Sequence, residues 1–210
     1  MKTYTYLNWF AILASSIFMS FSISAQTIAS YNFESGLQGW TTDTNSALNT
    51  NSTWAVGGSR SIYVKDDTNT SIITSPTINL SAYTNVSFTF SIKTNNLENG
   101  EGFDLEYHNG TSWSLLKSYR RGTDFVNTGS GNVYTFKYTV TGSPQLSSNS
   151  RFRFKGESNK DDEYCYFDNI FIAQPEPEIE ISGNTIEIVN GDTTPKNSDH
   201  TDFGTANLGT

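Results

Sequence analysis

The sequence predicts an all-β protein: an antiparallel jelly-roll β-sandwich, with part of a second β domain behind it. Three observations carry this reading. Apolar and polar residues alternate with period two over several stretches. Turn residues separate those stretches at short intervals. No capped helical period of useful length occurs anywhere.

Taken in order, Thr27 to Phe33 is the first strand. Ser35 to Ser59 is rich in Gly, Asn, Thr and Ser and reads as a long loop or two short strands carrying Trp40 and Trp54. Ser61 to Val64 and Ser71 to Thr74 are short strands, the second ended by Pro76, which has no amide hydrogen for a ladder. In Asn85 to Thr94, Val86, Phe88, Phe90 and Ile92 alternate with Ser87, Thr89, Ser91 and Lys93. Phe103, Leu105 and Tyr107 alternate in the same way with Asp104, Glu106 and His108. Asn109-Gly110 is then a hairpin signal that folds Trp113 to Tyr119 back onto that strand. Val133 to Val140 and Arg151 to Lys155 repeat the alternation, and Tyr164 to Ile172 closes the sandwich. That last stretch is apolar or aromatic at almost every position, yet holds one acid, Asp168. If the first and last strands are neighbours, Glu34 and Asp168 meet.

Composition narrows the classes. Aromatic residues reach 14% while charged residues are only 16%, which suits a core of Phe and Tyr and excludes a coiled coil or a charged disordered chain. The formal charge of −8 argues against a nucleic-acid partner, because phosphate binding needs clustered Lys and Arg. Arg120-Arg121 is the one adjacent basic pair and reads as a solvated loop. The single cysteine, Cys165, permits no internal disulfide and reads as a small buried hydrophobe.

Met1 to Ala25 reads as a signal peptide: Lys2 is the positive start, Trp9 to Ser24 the apolar region, and Ile23-Ser24-Ala25 the small-residue end. The run is shorter than the ~20 residues a spanning helix needs. The expectation is a secreted protein, with no membrane span in the mature chain. Gln174-Pro175-Glu176-Pro177 is a stiff linker over 174–177, bounding a domain at 26–173. The 178–210 remainder is too short to bury a core of its own and reads as an incomplete second domain of a longer chain.

Residues 31 to 172 resemble the jelly-roll domains shared by MAM-type adhesion domains and several carbohydrate-binding modules. Phe33-Glu34-Ser35-Gly36-Leu37 with Gly39-Trp40, Ser75-Pro76 with Ile78 and Leu80, Asn109-Gly110 with Trp113, Gly122-Thr123-Asp124-Phe125 and Tyr166-Phe167-Asp168-Asn169-Ile170 carry the likeness. MAM domains carry paired cysteines, and this chain does not. Residues 178 to 210 resemble the opening of a choice-of-anchor D domain through Gly191-Asp192-Thr193-Thr194-Pro195 and Thr201-Asp202-Phe203-Gly204, which implies cell-surface anchoring through a further C-terminal region.

The resemblance implies a structural Ca2+ near Glu34 and Asp168, hard-oxygen ligands suited to that ion; Asp66 or Asp67, at the end of the next strand, is the candidate third ligand. Trp54, Trp113 and Tyr119 are the candidates for stacking on sugars, whereas Trp40 reads as packed. Asp104 and Glu106 share a strand face but read as solvated acids, as does the turn Asp161-Asp162-Glu163, and His108 and His200 stand alone. No hydrolase, zinc or phosphate-loop motif occurs, so no catalytic residue is assigned. The function expected is a non-catalytic extracellular adhesion or recognition module with a structural calcium, its partner a glycan or a surface protein. The alternatives are a carbohydrate-binding module, or an accessory fragment of a secreted hydrolase.

Overall fold

The computed structural model describes residues 26–65, 71–142 and 144–175, and beyond them only 182–183, 186–187, 194 and 196–199. The expected signal peptide, Asp66, Asp67, His200 and most of the expected second domain lie outside the described residues. Among the described residues no helix is long and apolar enough to cross a membrane.

The strands are β1 (Thr27–Tyr31), β2 (Thr41–Thr42), β3 (Ser46–Asn49), β4 (Ser61–Lys65), β5 (Ile72–Thr74), β6 (Asn85–Asn95), β7 (Gly102–Asn109), β8 (Trp113–Arg120), β9 (Tyr134–Thr141), β10 (Ser150–Glu157) and β11 (Tyr164–Ala173). They form two antiparallel sheets. The first runs β3-β4-β11-β6-β9 with β1 also beside β11, and the second runs β2-β5-β10-β7-β8. Further on, Ser182–Gly183 pairs with Ile186–Glu187.

Period-two patterning sends one set of side chains from each sheet inward. Phe88, Phe90, Ile92, Phe103, Leu105, Tyr107, Phe152, Phe154 and Phe167 are all fully buried. Phe154 of the second sheet and Phe167 of the first lie face to face, ring centroids 3.8 Å apart, at the centre of the sandwich. Phe90 meets Phe154 edge-on at 5.0 Å and Tyr119 edge-on at 5.6 Å, so the aromatic layer continues towards the β8 side. Trp40 closes the opposite side, stacked at 6.1 Å on Phe154.

The 35–59 stretch contains the short strands β2 and β3 rather than a loop alone. Asn109-Gly110 turns the chain as expected. Gly110 takes a φ of 94°, which a side chain rarely adopts, and Asn109 Oδ1 accepts from the amides of Thr111 and Ser112.

Among the described residues β11 is the one strand with three ladder partners. On one side it pairs with β6 at both ends, from Tyr164 to Asp168 and from Phe171 to Ala173. On the other it pairs with β4 from Tyr164 to Phe167 and with β1 from Ile170 to Ala173. The exchange happens at a bulge over Asp168–Phe171, where Asn169 sits at φ 48°. First and last strands are thus neighbours, Tyr31 opposite Ile170.

Phe167→Ala removes the ring at the centre of this stack. Urea denaturation should show a loss of about 3–5 kcal/mol, and Phe167→Leu should lose clearly less because it leaves a smaller cavity.

Candidate functional site

The two outer faces of the sandwich differ. The outer face of the first sheet is roofed by the loop between β3 and β4. Trp54 stacks on Tyr166 with centroids 4.8 Å apart and planes 10° from parallel. Tyr166 in turn stacks on Tyr164 at 5.5 Å, and the Lys65 ammonium lies 6.0 Å from the Tyr164 ring. Lys93 Nζ donates to the Thr53 carbonyl, and the Val56 amide donates to Asp168 Oδ2. Tyr166, Lys93 and Asp168 are consequently buried, although they point away from the core. Rings stacked face to face along a strand present their edges outward.

The outer face of the second sheet carries a polar ladder instead. Strand register places its outward residues in transverse rows across β10, β7 and β8. Arg151 lies opposite His108, and His108 opposite Trp113. In the next row Arg153 lies opposite Glu106, and Glu106 opposite Leu115. Beyond it come Lys155, Asp104 and Ser118. The row extends through Arg153 to Thr74 of β5 and from there to Thr41 of β2. Leu115 is 55% exposed and Trp113 half-buried, so solvent reaches this face.

Its charges are mostly matched. Arg153 Nε donates to Glu106 Oε2, directly across the strand pair. Arg120 Nη2 lies 2.7 Å from Asp104 Oδ1 and its Nη1 also donates to the Phe103 carbonyl. Lys155 pairs with Glu157; at the β8 edge, on the side of Tyr119, Lys117 pairs with Asp124 at 3.1 Å. Two guanidinium groups lie over Trp113: Arg153 at 4.0 Å from the ring centroid and Arg151 at 5.7 Å. The His108 ring is 5.0 Å away, tilted by 58°. An indole, an imidazole, two guanidiniums and a carboxylate therefore share one open patch. Such a patch offers an apolar ring flanked by fixed donors and acceptors.

A second cluster lies where β11 changes partner. Glu34 Oε1 accepts from the amides of Ser59 and Arg60, and Oε2 from the Ser59 hydroxyl. These donors, Ser59 first, hold the Glu34 carboxyl below its ordinary range. Asp168 is 1% exposed; its Oδ2 accepts from Val56 N and its Oδ1 from Asn169 N. Burial pushes its carboxyl up to about 6, the Val56 and Asn169 amides oppose that rise, and the charge of Glu34 adds to it. Asn169 Nδ2 donates to the Val56 carbonyl, closing the loop onto the bulge. Gly58 is required here: a Cβ would fall 2.5 Å from the Glu34 carboxyl carbon, and its φ is 80°. Among the described residues no three Asp, Glu, His or Cys side chains form a metal-binding group.

The expected site residues thus separate. Glu34 and Asp168 come together in one cluster, Trp54 lies on the roof of the first sheet, and Trp113 lies on the open face of the second. Tyr119 does not serve as a platform. It is 1% exposed and stacked at 5.0 Å on Phe103, because its position opposite Phe103 turns it inward. Asp104 and Glu106 are not free solvated acids but ion-paired, with side chains only 14% and 16% exposed. Arg120 belongs to that network rather than to a loop. Glu163 is 1% exposed, its Oε2 capped by the amides of Asn159 and Lys160, and burial raises its carboxyl. Cys165 is buried as expected, which raises its thiol.

His108, Arg151 and Arg153 were not among the expected site residues. The hairpin turn at Asn109-Gly110 already fixes His108 opposite Trp113. The pairing of β10 with β7, which brings the arginines in, has no local signal.

No family model matches the sequence, and no curated protein matches it. Solved structures are similar in fold. One is the family 22 carbohydrate-binding and family 10 xylanase modules of Clostridium thermocellum xylanase 10B, complexed with xylohexaose: TM-score 0.53, 12% identity, over 72% of this chain. This chain spans only 29% of that structure. The C-terminal family 22 module of the same xylanase is matched over 73% of this chain and 97% of its own length, with TM-score 0.53 and 13% identity. A xylan-binding family 22 domain from Paenibacillus barcinonensis is matched over 74% and 98%, with TM-score 0.50 and 13% identity. At such identities the likeness shows a shared β-sandwich fold.

Proposed function

We propose that residues 26–173 form a non-catalytic module that binds carbohydrate on the outer face of the second sheet. The observation that carries this is the Trp113 patch: an indole reached by solvent, in register with His108 and Arg151, and oriented by an Arg153 that is itself tied to Glu106. A pyranose ring stacks on the indole while the flanking groups bond its hydroxyls. The fold likeness to carbohydrate-binding modules supports this reading over adhesion through a protein surface. The β3–β4 loop covers the outer face of the first sheet, whereas Leu115 is exposed on that of the second, which supports the same choice of face. Export rests on the apolar segment over 9–24, and surface anchoring on the likeness of residues 178–210.

We also propose that Glu34 and Asp168 hold a structural calcium ion. Asp168 Oδ1, Asp168 Oδ2 and Glu34 Oε2 each accept one protein hydrogen bond, and the charge of Glu34 adds to the cost of ionising the buried Asp168. A hard divalent cation relieves that cost. Asp66 or Asp67 remains the proposed third ligand.

Two measurements follow. In affinity electrophoresis against a panel of polysaccharides, Trp113→Ala should weaken binding by at least about 2 kcal/mol, as expected of a central aromatic anchor, with the circular dichroism of the folded protein retained. Trp54→Ala should keep the affinity and lower the melting temperature. The reverse pattern would place the ligand on the first sheet.

The second measurement concerns pH. Without calcium, Asp168 binds its proton up to about 6 in the folded protein but only to its ordinary 3.8 when unfolded. Stability should therefore fall as pH rises from about 4 to about 6, by about 3 kcal/mol. Glu34 acts in the opposite sense and in a lower window, losing its contribution as pH falls below its ordinary 4.5. Urea denaturation in chelator should show the Asp168 slope, Asp168→Asn should flatten it, and millimolar calcium at pH 7 should raise the midpoint. Calorimetry that shows no heat on calcium addition, with an unchanged midpoint, would remove the ion.

A further inference from the structure

The cations on the open face are not equal. Arg153, Arg120 and Lys155 each have a carboxylate partner, respectively Glu106, Asp104 and Glu157. Arg151 makes no ion pair among the described residues, and its guanidinium lies 5.7 Å from the Trp113 ring. Its cross-strand neighbour is His108, which carries no negative charge either. The row Arg151–His108–Trp113 is thus a cationic spot on a chain of formal charge −8.

A neutral sugar takes only single hydrogen bonds from a guanidinium beside its stacking platform. The planar fork of arginine matches the paired oxygens of a carboxylate or a sulfate, and such charge-assisted bonds are the strong ones. Glu106 and Asp104, the outward acids of β7, are already ion-paired with Arg153 and Arg120, which reduces their repulsion of an incoming anion.

Resting on the carbohydrate reading above, we propose that the glycan bound on this face is anionic, with a sugar stacked on Trp113 and its carboxylate or sulfate received by Arg151, His108 lying between them. Uronic-acid and sulfated polysaccharides share this chemistry.

The test is affinity electrophoresis of the protein against matched polysaccharides. Polygalacturonate is paired with its methyl ester, alginate with its carboxyl-reduced form, and a sulfated galactan with its desulfated form; neutral xylan, mannan and β-glucan complete the panel. At least one anionic polymer should bind roughly tenfold more tightly than its neutral counterpart, and the gap should shrink as salt rises. The uronate and sulfate arms tell which anion is read. Arg151→Gln should lower affinity for the anionic polymer to that of its neutral form, without altering the melting temperature. Equal binding of the charged and neutral forms, or Arg151→Gln leaving the preference intact, would overturn the inference while the carbohydrate reading stands. Binding to no polymer would overturn both.

Discussion

One edge of β11 has to serve two strands, and the sandwich depends on how it does so. β4 occupies that edge as far as Phe167, and β1 takes it over from Ile170. Between them the ladder has no partner, and an unpaired stretch of central strand is costly. The bulge at Asp168–Phe171 resolves this by turning polar groups toward the β3–β4 loop instead. Asp168 takes the Val56 amide and Asn169 returns a bond to the Val56 carbonyl. A carboxylate within an aromatic strand is thus the local substitute for missing backbone pairing, and the loop it captures covers the outer face of the first sheet.

That cover sets the difference between the two faces. Captured by Asp168 on one side and Glu34 on the other, the β3–β4 loop lays Trp54 on Tyr166 and buries Lys93. The second sheet has no equivalent of Asp168 on its outer face. Its polar side chains pair with one another instead, in rows set by strand register. One face is closed and the other open, and the buried acid that captures the loop accounts for the closed one.

Much of this was legible in the sequence. The strands from Asn85 to Lys155 follow from period-two alternation of apolar and polar residues, and the last strand, buried on both faces over much of its length, from its near-continuous apolar run. The meeting of Glu34 and Asp168 follows once the first and last strands are neighbours. The face of Tyr119 was misread because Trp113 and Tyr119 lie six positions apart, where simple alternation would give them the same face. The irregularity opposite Leu105 and Glu106 shifts the register of β8 and sends Tyr119 inward. A bulge of this kind has no Gly or Pro to announce it here. The ion pairs of Asp104 and Glu106 were hidden for another reason: their partners Arg120 and Arg153 come from strands whose adjacency is a matter of topology.

Arg153 holds Glu106 with one hand and lies over Trp113 with its plane. The indole is therefore ordered when the chain folds, not when something lands on it. An incoming molecule finds torsions already fixed, so the entropy of arranging the contact is spent beforehand and most of the contact energy remains as affinity. Cutting the link at Glu106, a residue that need touch no ligand, would loosen the indole and weaken whatever depends on it.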